Sequence, residues 1–137
     1  MFKWREEFSV NITAIDQQHK ELFSIGNFIY ELLSIKDDID RYDEIMLALN
    51  KLKEYAMYHF ETEEKLMLKY GYPDYEEHKH QHESFIARIS SLDEDTVDYD
   101  QQKVLMDLII FIANWIEKHI LKTDMAYKDF LNEKGVY

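Results

Sequence analysis

The chain has no cysteine, one proline and three glycines in 137 residues. Without thiols there is neither a disulfide framework nor a thiolate metal site. So few turn-forming residues leave little room for an all-β fold, and the balance favours long helices. Basic residues are also scarce: 16 Lys and Arg against 28 Asp and Glu give a formal net charge of -12. A polyphosphate backbone or an anionic membrane surface would be repelled, and no basic stripe offsets this, so neither nucleic acid nor membrane is expected as a partner. No stretch approaches the roughly 20 apolar residues of a membrane span, and the first twenty residues, MFKWREEFSVNITAIDQQHK, contain no long apolar run. A cytoplasmic location is the default expectation. The length suits one domain, residues 1–137, around a single core.

What is present is apolar spacing at alternating steps of three and four through four segments. The first runs from about Asp16, read as an N-cap, to Ser34, with His19, Leu22, Phe23, Gly26, Ile29 and Leu33 on its stripe. A second begins near Asp40 and carries Ile45, Leu49, Leu52, Ala56, His59, Glu63 and Leu66, stopping before Gly71 and Pro73. The third opens at Asp74, where the preceding proline does no harm, and aligns Tyr75, His78, His82, Phe85, Ile89 and Leu92. An acidic loop from Asp93 to Asp100 leads to the fourth, which aligns Leu105, Leu108, Ile112, Trp115 and His119, with Asp124 five residues on. A last helical stretch covers Asp124 to Glu133. Phe2, Trp4, Phe8 and Val10 fall on even-numbered positions, which predicts an extended N-terminal arm. The expected fold is all-α, an antiparallel up-down four-helix bundle with that arm and a short C-terminal helix.

Five of the six histidines, all but His80, lie on the inward stripes, and Glu63 joins them. Any one of them alone reads best as a core histidine satisfied by a hydrogen bond, and Tyr75 and Trp115 read as plain packing. Taken together they do not. Burying an unpartnered imidazole costs on the order of a few kcal/mol and an unpaired carboxylate more, so a core does not carry six such groups without a common partner. HxxxE over His59 and Glu63 and HxxxH over His78 and His82 each set two ligand-type side chains on one face, a turn apart. A cation answers all of them, since neutral imidazole and carboxylate are good ligands for iron-group ions. Five nitrogens and two carboxylates exceed a mononuclear zinc site and suit two ions. The step from His119 to Asp124 is five residues, which in a regular helix turns the two side chains about 140° apart. A wide turn or π-bulge is therefore expected between them.

The stretches W4-REEFSV-N11, IDQQHKELF (15–23), H59-FETEEKLM-L68, GYPDYEEHKHQH (71–82) and W115-IEKHILKTDMAY-K128 resemble the hemerythrin family, in particular its short single-domain bacterial members. That resemblance covers essentially the whole chain. It implies a non-haem centre of two iron ions that binds dioxygen reversibly, a carrier, store or delivery protein and not an enzyme. One iron would take His78, His82 and His119. The other would take His19 and His59 and keep an open position, with Glu63, Asp124 and an oxo or hydroxo group bridging the pair. Phe60, Trp115, Ile116 and Ile120 would line a dry oxygen pocket that offers no acid. Ile116 stands where family members often have leucine. Two other readings share the bundle: a di-iron oxidase or NO-reducing enzyme, and an oxygen-sensing module acting through a signalling partner. Ferritin-type oxidases draw on paired Glu-x-x-His motifs, whereas this chain has one, Glu77 with His80, off the stripe.

Overall fold

The computed structural model describes residues 2–35 and 40–137, apart from the Asp98 side chain. Among the described residues there are long helices α1 (Thr13–Ser34), α2 (Tyr42–Tyr70), α3 (Tyr75–Ser90) and α5 (Gln101–Lys118), with short helices α4 (Glu94–Tyr99) and α6 (Met125–Glu133). The four long ones form the up-down bundle that the apolar spacing predicts, because each buries one stripe against its neighbours. No helix among the described residues is long and apolar enough to cross a membrane.

The turns follow from a few residues. Gly71 closes α2 at φ 71°, a left-handed conformation costly for other residues. Its N–H donates to Leu68 O while Tyr72 N–H donates to Met67 O at 2.9 Å, so the last carbonyls of α2 are satisfied and the chain reverses into α3. The acidic stretch expected to be a loop from Asp93 to Asp100 instead contains α4. Asp93 accepts from Thr96 N–H at 2.8 Å and Asp100 from Lys103 N–H at 3.1 Å, so the acids cap α4 and α5. The reading of Asp16 as an N-cap is also corrected: α1 begins a turn earlier, at Thr13. Asp16 accepts from Ser9 Oγ at 2.6 Å and Val10 N–H at 2.9 Å, and so fastens the arm to the helix.

The arm runs along the bundle, interrupted by one 3-10 turn at Glu6–Phe8. Its Phe2 packs so closely over Gly26 that a Cβ there would lie 2.8 Å from the ring. Phe2 and Asn27 exchange two hydrogen bonds, at 2.8 and 2.9 Å. The packing of the long helices is uneven: α1 lies close against α2 and α5, and α2 against α3. Across the remaining seam, between α3 and α5, large rings fill the space, with Phe85 stacked on Phe111 and tilted against Trp115.

Two apolar clusters divide the bundle along its axis. The larger includes Leu22, Phe60, Phe85, Ile112 and Ile116, and the smaller gathers Ile15, Met67, Tyr72, Tyr127 and Leu131. Helices α1, α2 and α3 contribute to both clusters, while α5 lies in the larger and α6 in the smaller, and the inward residues at the boundary are polar.

Candidate metal centre

The buried polar side chains among the described residues are Gln18, His19, His59, Glu63, His78, His82, His119 and Asp124. Seven of these eight are the residues that the sequence pattern singles out as ligands, and the fold brings all seven into one layer. His80 is exposed on the outside of α3, as its position off the stripe predicts.

Within the layer the seven side chains sort into two overlapping groups. His78, His82 and His119 form one group with Glu63 and Asp124; His19 and His59 form another with the same two carboxylates. In each group the potential ligand atoms lie within 4.8 Å of one another. Glu63 turns Oε1 toward His59 Nε2 at 2.5 Å and His19 Nε2 at 3.4 Å, and Oε2 toward His78 Nε2 at 3.1 Å. Asp124 likewise sets Oδ2 3.1 Å from His19 Nε2, and Oδ1 2.9 and 3.0 Å from His78 and His119 Nε2. Each carboxylate thus has one oxygen for each histidine group.

The carboxylate of Asp124 reaches this layer because residues His119–Asp124 form a π-helical segment. An i to i+5 hydrogen-bonding pattern returns the fifth residue to the face of the first, which a regular helix does not do. The distortion expected from the HxxxxD spacing is therefore present.

Three of the five imidazoles are oriented by hydrogen bonds on their far side. His59 Nδ1 donates to Gln18 Oε1 at 2.7 Å, His82 Nδ1 to Glu64 Oε2 at 3.0 Å, and His119 Nδ1 to Gln81 Oε1 at 2.9 Å. Because each partner is an acceptor, the proton sits on Nδ1 and the Nε2 lone pair faces the centre. His82 and His119 then aim two Nε2 lone pairs at each other across 3.1 Å. Two neutral acceptors at that distance repel unless a proton or a cation lies between them. Gln18 is held in turn by Thr62, at 3.3 Å, and Gln81 accepts from Thr123 Oγ1 at 2.9 Å. Such orienting partners are a regular part of histidine metal sites. Sequence reasoning missed Gln18, Glu64 and Gln81. Each flanks a ligand candidate by one position, but the histidine it orients lies on a different helix, and stripe periodicity carries no signal for that.

The charge state of the cluster points the same way. Burial pulls the His19 imidazole down, but the Asp124 and Glu63 carboxylates outweigh it and lift its pKa to about 9. His78, against the same opposing burial and beside the same pair, is raised to about 10. Burial dominates at His59, which is lowered. Desolvation pushes the Glu63 and Asp124 carboxyls upward, yet the surrounding imidazoles hold both below the ordinary range. Two ionised carboxylates are thus buried together, and the side-chain oxygens of both, with both ring nitrogens of His19 and His78, lack a hydrogen-bond partner among the described residues. A pair of divalent or trivalent cations answers that arrangement, supplying positive charge for the carboxylates and an acceptor for every lone pair. The donor set, five nitrogens and four carboxylate oxygens, suits iron-group ions.

Of the four residues expected to line an oxygen pocket, Phe60, Ile116 and Ile120 are buried and Trp115 is half-buried. Phe60 stacks on His82 with ring centroids 3.9 Å apart, and Trp115 stacks on His119 at 4.2 Å. Both rings therefore lie against the three-histidine group, with the Phe60 ring 5.7 Å from that of His59 in the other. Tyr127, which the sequence pattern did not single out, stacks on His78 at 5.5 Å. Burial and the two carboxylates push its phenol well up, so its hydroxyl stays protonated.

Residues 10–131 match the family described as the hemerythrin HHE cation binding domain. The chain belongs to the hemerythrin family. Among curated relatives, a bacteriohemerythrin of Clostridium acetobutylicum is 42% identical over 129 residues, covering 94% of this chain and all of the relative. A bacteriohemerythrin of Methylococcus capsulatus is 30% identical over 88% of each chain. A hemerythrin-like protein of Naegleria gruberi is 30% identical over 95% of this chain and 93% of its own length. Among solved structures, a wild-type hemerythrin crystal structure superposes with a TM-score of 0.78 at 28% identity, over 96% of this chain and 98% of that one. The hemerythrin fold and a buried His/Glu/Asp cluster able to hold metal are thus established together.

Proposed function

We propose that this hemerythrin, acting as one domain over residues 1–137, binds dioxygen reversibly at two iron ions as a carrier, store or delivery protein. His78, His82 and His119 would hold one ion and His19 and His59 the other, with Glu63 and Asp124 spanning both. The observation that carries this reading is the division of both carboxylates between the two histidine groups. Iron held by these residues would supply the redox chemistry for reversible uptake of dioxygen. The chain's own contribution is to orient and to exclude. Gln18, Glu64 and Gln81 hold three imidazoles in the ligating tautomer. Phe60, Ile116 and Ile120 close the layer on the side of the large apolar cluster without offering a proton, as reversible binding requires. With three imidazoles on one side and two on the other, an ion held by His19 and His59 would have fewer protein ligands and so room for dioxygen.

The test is an absorption spectrum of iron-loaded protein taken anaerobically after reduction, after admitting air, and again after removing oxygen. A charge-transfer band that appears with air and disappears without it is expected, together with two irons per chain. Oxidation by air that does not reverse would favour the oxidase reading. Less than one iron per chain after anaerobic reconstitution would refute the centre itself.

A further inference from the structure

The seam between α3 and α5 opens outward into a recess of about 460 Å³ that reaches His119. In a chain with 28 acidic against 16 basic residues, this recess has no carboxylate in its lining. Its charged residues are Lys118 and Lys122, one turn apart and both exposed. Neither lysine takes part in an ion pair among the described residues. Arg88, whose guanidinium lies 5.6 Å above the Phe111 ring, belongs to the adjoining groove, which Asp100 and Asp107 also line. The groove on the other side of α3 is the opposite in charge, bordered by Glu61, Glu64 and Glu83.

Trp115 joins the basic recess to the centre. Half-buried, it borders the recess and lies flat on His119, with the ring planes 14° apart. The Nε2 atom of His119 is 3.0 Å from Asp124. Because His119 itself is buried, a partner seated in the recess meets the half-buried indole and reaches the ligand layer through the imidazole stacked on it.

We propose that this recess docks an acidic one-electron carrier protein, and that Trp115 is the side chain through which its electrons reach His119. The inference rests on the di-iron reading above. Oxygen binding needs both irons ferrous, so any diferric protein must be re-reduced. Each carrier gives up one electron and one ferric ion becomes ferrous, so two carriers restore the pair, and no bond to the protein is made or broken. The charge complementarity is local: a partner that would be repelled by the chain as a whole is attracted at Lys118 and Lys122.

The experiment uses iron-loaded diferric protein and a photoreduced acidic flavodoxin as the probe, with reduction followed anaerobically by stopped flow. The wild-type rate should fall steeply with ionic strength. Lys118→Glu/Lys122→Glu should lower it at low salt by about tenfold or more and flatten the salt dependence. Iron content and the rate with a small neutral reductant, deazariboflavin semiquinone, should not change. A Lys51→Glu/Lys53→Glu control makes the same change in net charge on α2, and an equal loss there would overturn the proposal. Carbodiimide cross-linking of wild-type protein to flavodoxin gives a second readout, with joins expected at Lys118 and Lys122; joins only elsewhere would overturn docking. Trp115→Leu should lower the limiting rate at saturating flavodoxin, and an unaltered limiting rate would remove Trp115 from the path. A stronger block by phosphate than by chloride at equal ionic strength would assign the recess to a small anion and overturn docking. A protein with two irons and a reversible oxygen band whose reduction ignores the lysines would refute this inference alone. One without that band would refute the di-iron oxygen reading beneath it.

Discussion

The two halves of the ligand layer are built differently. Around His78, His82 and His119 every imidazole is backed by an aromatic ring, Tyr127, Phe60 and Trp115 respectively, and two of the three are oriented by Glu64 and Gln81. Around His19 and His59 there is one fewer nitrogen and one orienting partner, Gln18, and the two rings meet edge to face at 4.6 Å. The first half is crowded and stiff, and the second has fewer donors in the same dry surroundings. Equal halves would favour two equally saturated ions. On the proposed reading, unequal ones would leave space at a single ion, which is what binding one small molecule asks of the protein.

The comparison breaks most completely where the halves are joined. Asp124→Ala and Glu63→Ala should each lose both irons on desalting, because either change strips ligands from both groups and halves the carboxylate charge that balances the buried cations. Retention of both irons in either variant, by elemental analysis, would contradict the shared-carboxylate arrangement. His119→Ala comes next: it removes one nitrogen from the crowded half and should lose iron or leave a mononuclear form. Loss of the iron–oxygen spectrum with both irons still bound would show that the halves are not separable in this way.

Smaller effects sharpen the contrast. Gln81→Leu and Gln18→Leu keep every ligand but release the ring of His119 or His59, and should weaken iron binding by about tenfold to a hundredfold. Competition with a chelator reads this directly, and unchanged affinity would make the glutamines mere packing. Acidity acts on both halves through His19 and His78, whose pKa values in the metal-free fold are raised to about 9 and about 10. A raised folded-state value means that protonation stabilises the apoprotein. That contribution is complete below the unfolded imidazole value of about 6.5 and is lost as pH rises through 9 to 10. The apoprotein's melting temperature should therefore decline between about pH 6.5 and 10 through these two groups. Iron binding has the opposite slope, because each ligand must give up its proton, so acid should release iron. A melting temperature that rises in the apoprotein over the same interval would reverse the assignment. The smallest effect is expected at exposed His80, where His80→Ala should leave iron content and the oxygen-dependent spectrum as they are.

Much of this was legible in the chain because a helix repeats its facing every three or four residues. His59 with Glu63 and His78 with His82 share a face by spacing alone, and His19 and His119 extend the stripes of their own segments. Even the π-helical segment could be read, since HxxxxD is incompatible with a regular helix if both residues face inward. Asp16 and the acidic stretch after Asp93 were read less well. A short acidic side chain serves equally as a helix cap, a solvated loop residue or an anchor for a distant backbone, and only the position of its acceptor atoms decides. Asp16 lies inside the first turn of α1, which starts at Thr13, and accepts from Ser9 and Val10 instead of capping the helix.

The sequence by itself determined the four stripes, the identity of the ligand-type residues on them and the need for a distorted turn before Asp124, because those depend on local periodicity. The tertiary structure alone decided that Glu63 and Asp124 each face both histidine groups, that Gln18, Glu64 and Gln81 orient rings carried by other helices, and that Trp115 links His119 to a basic recess. These are distances between segments far apart in the chain, and no residue's own neighbours in sequence encode them.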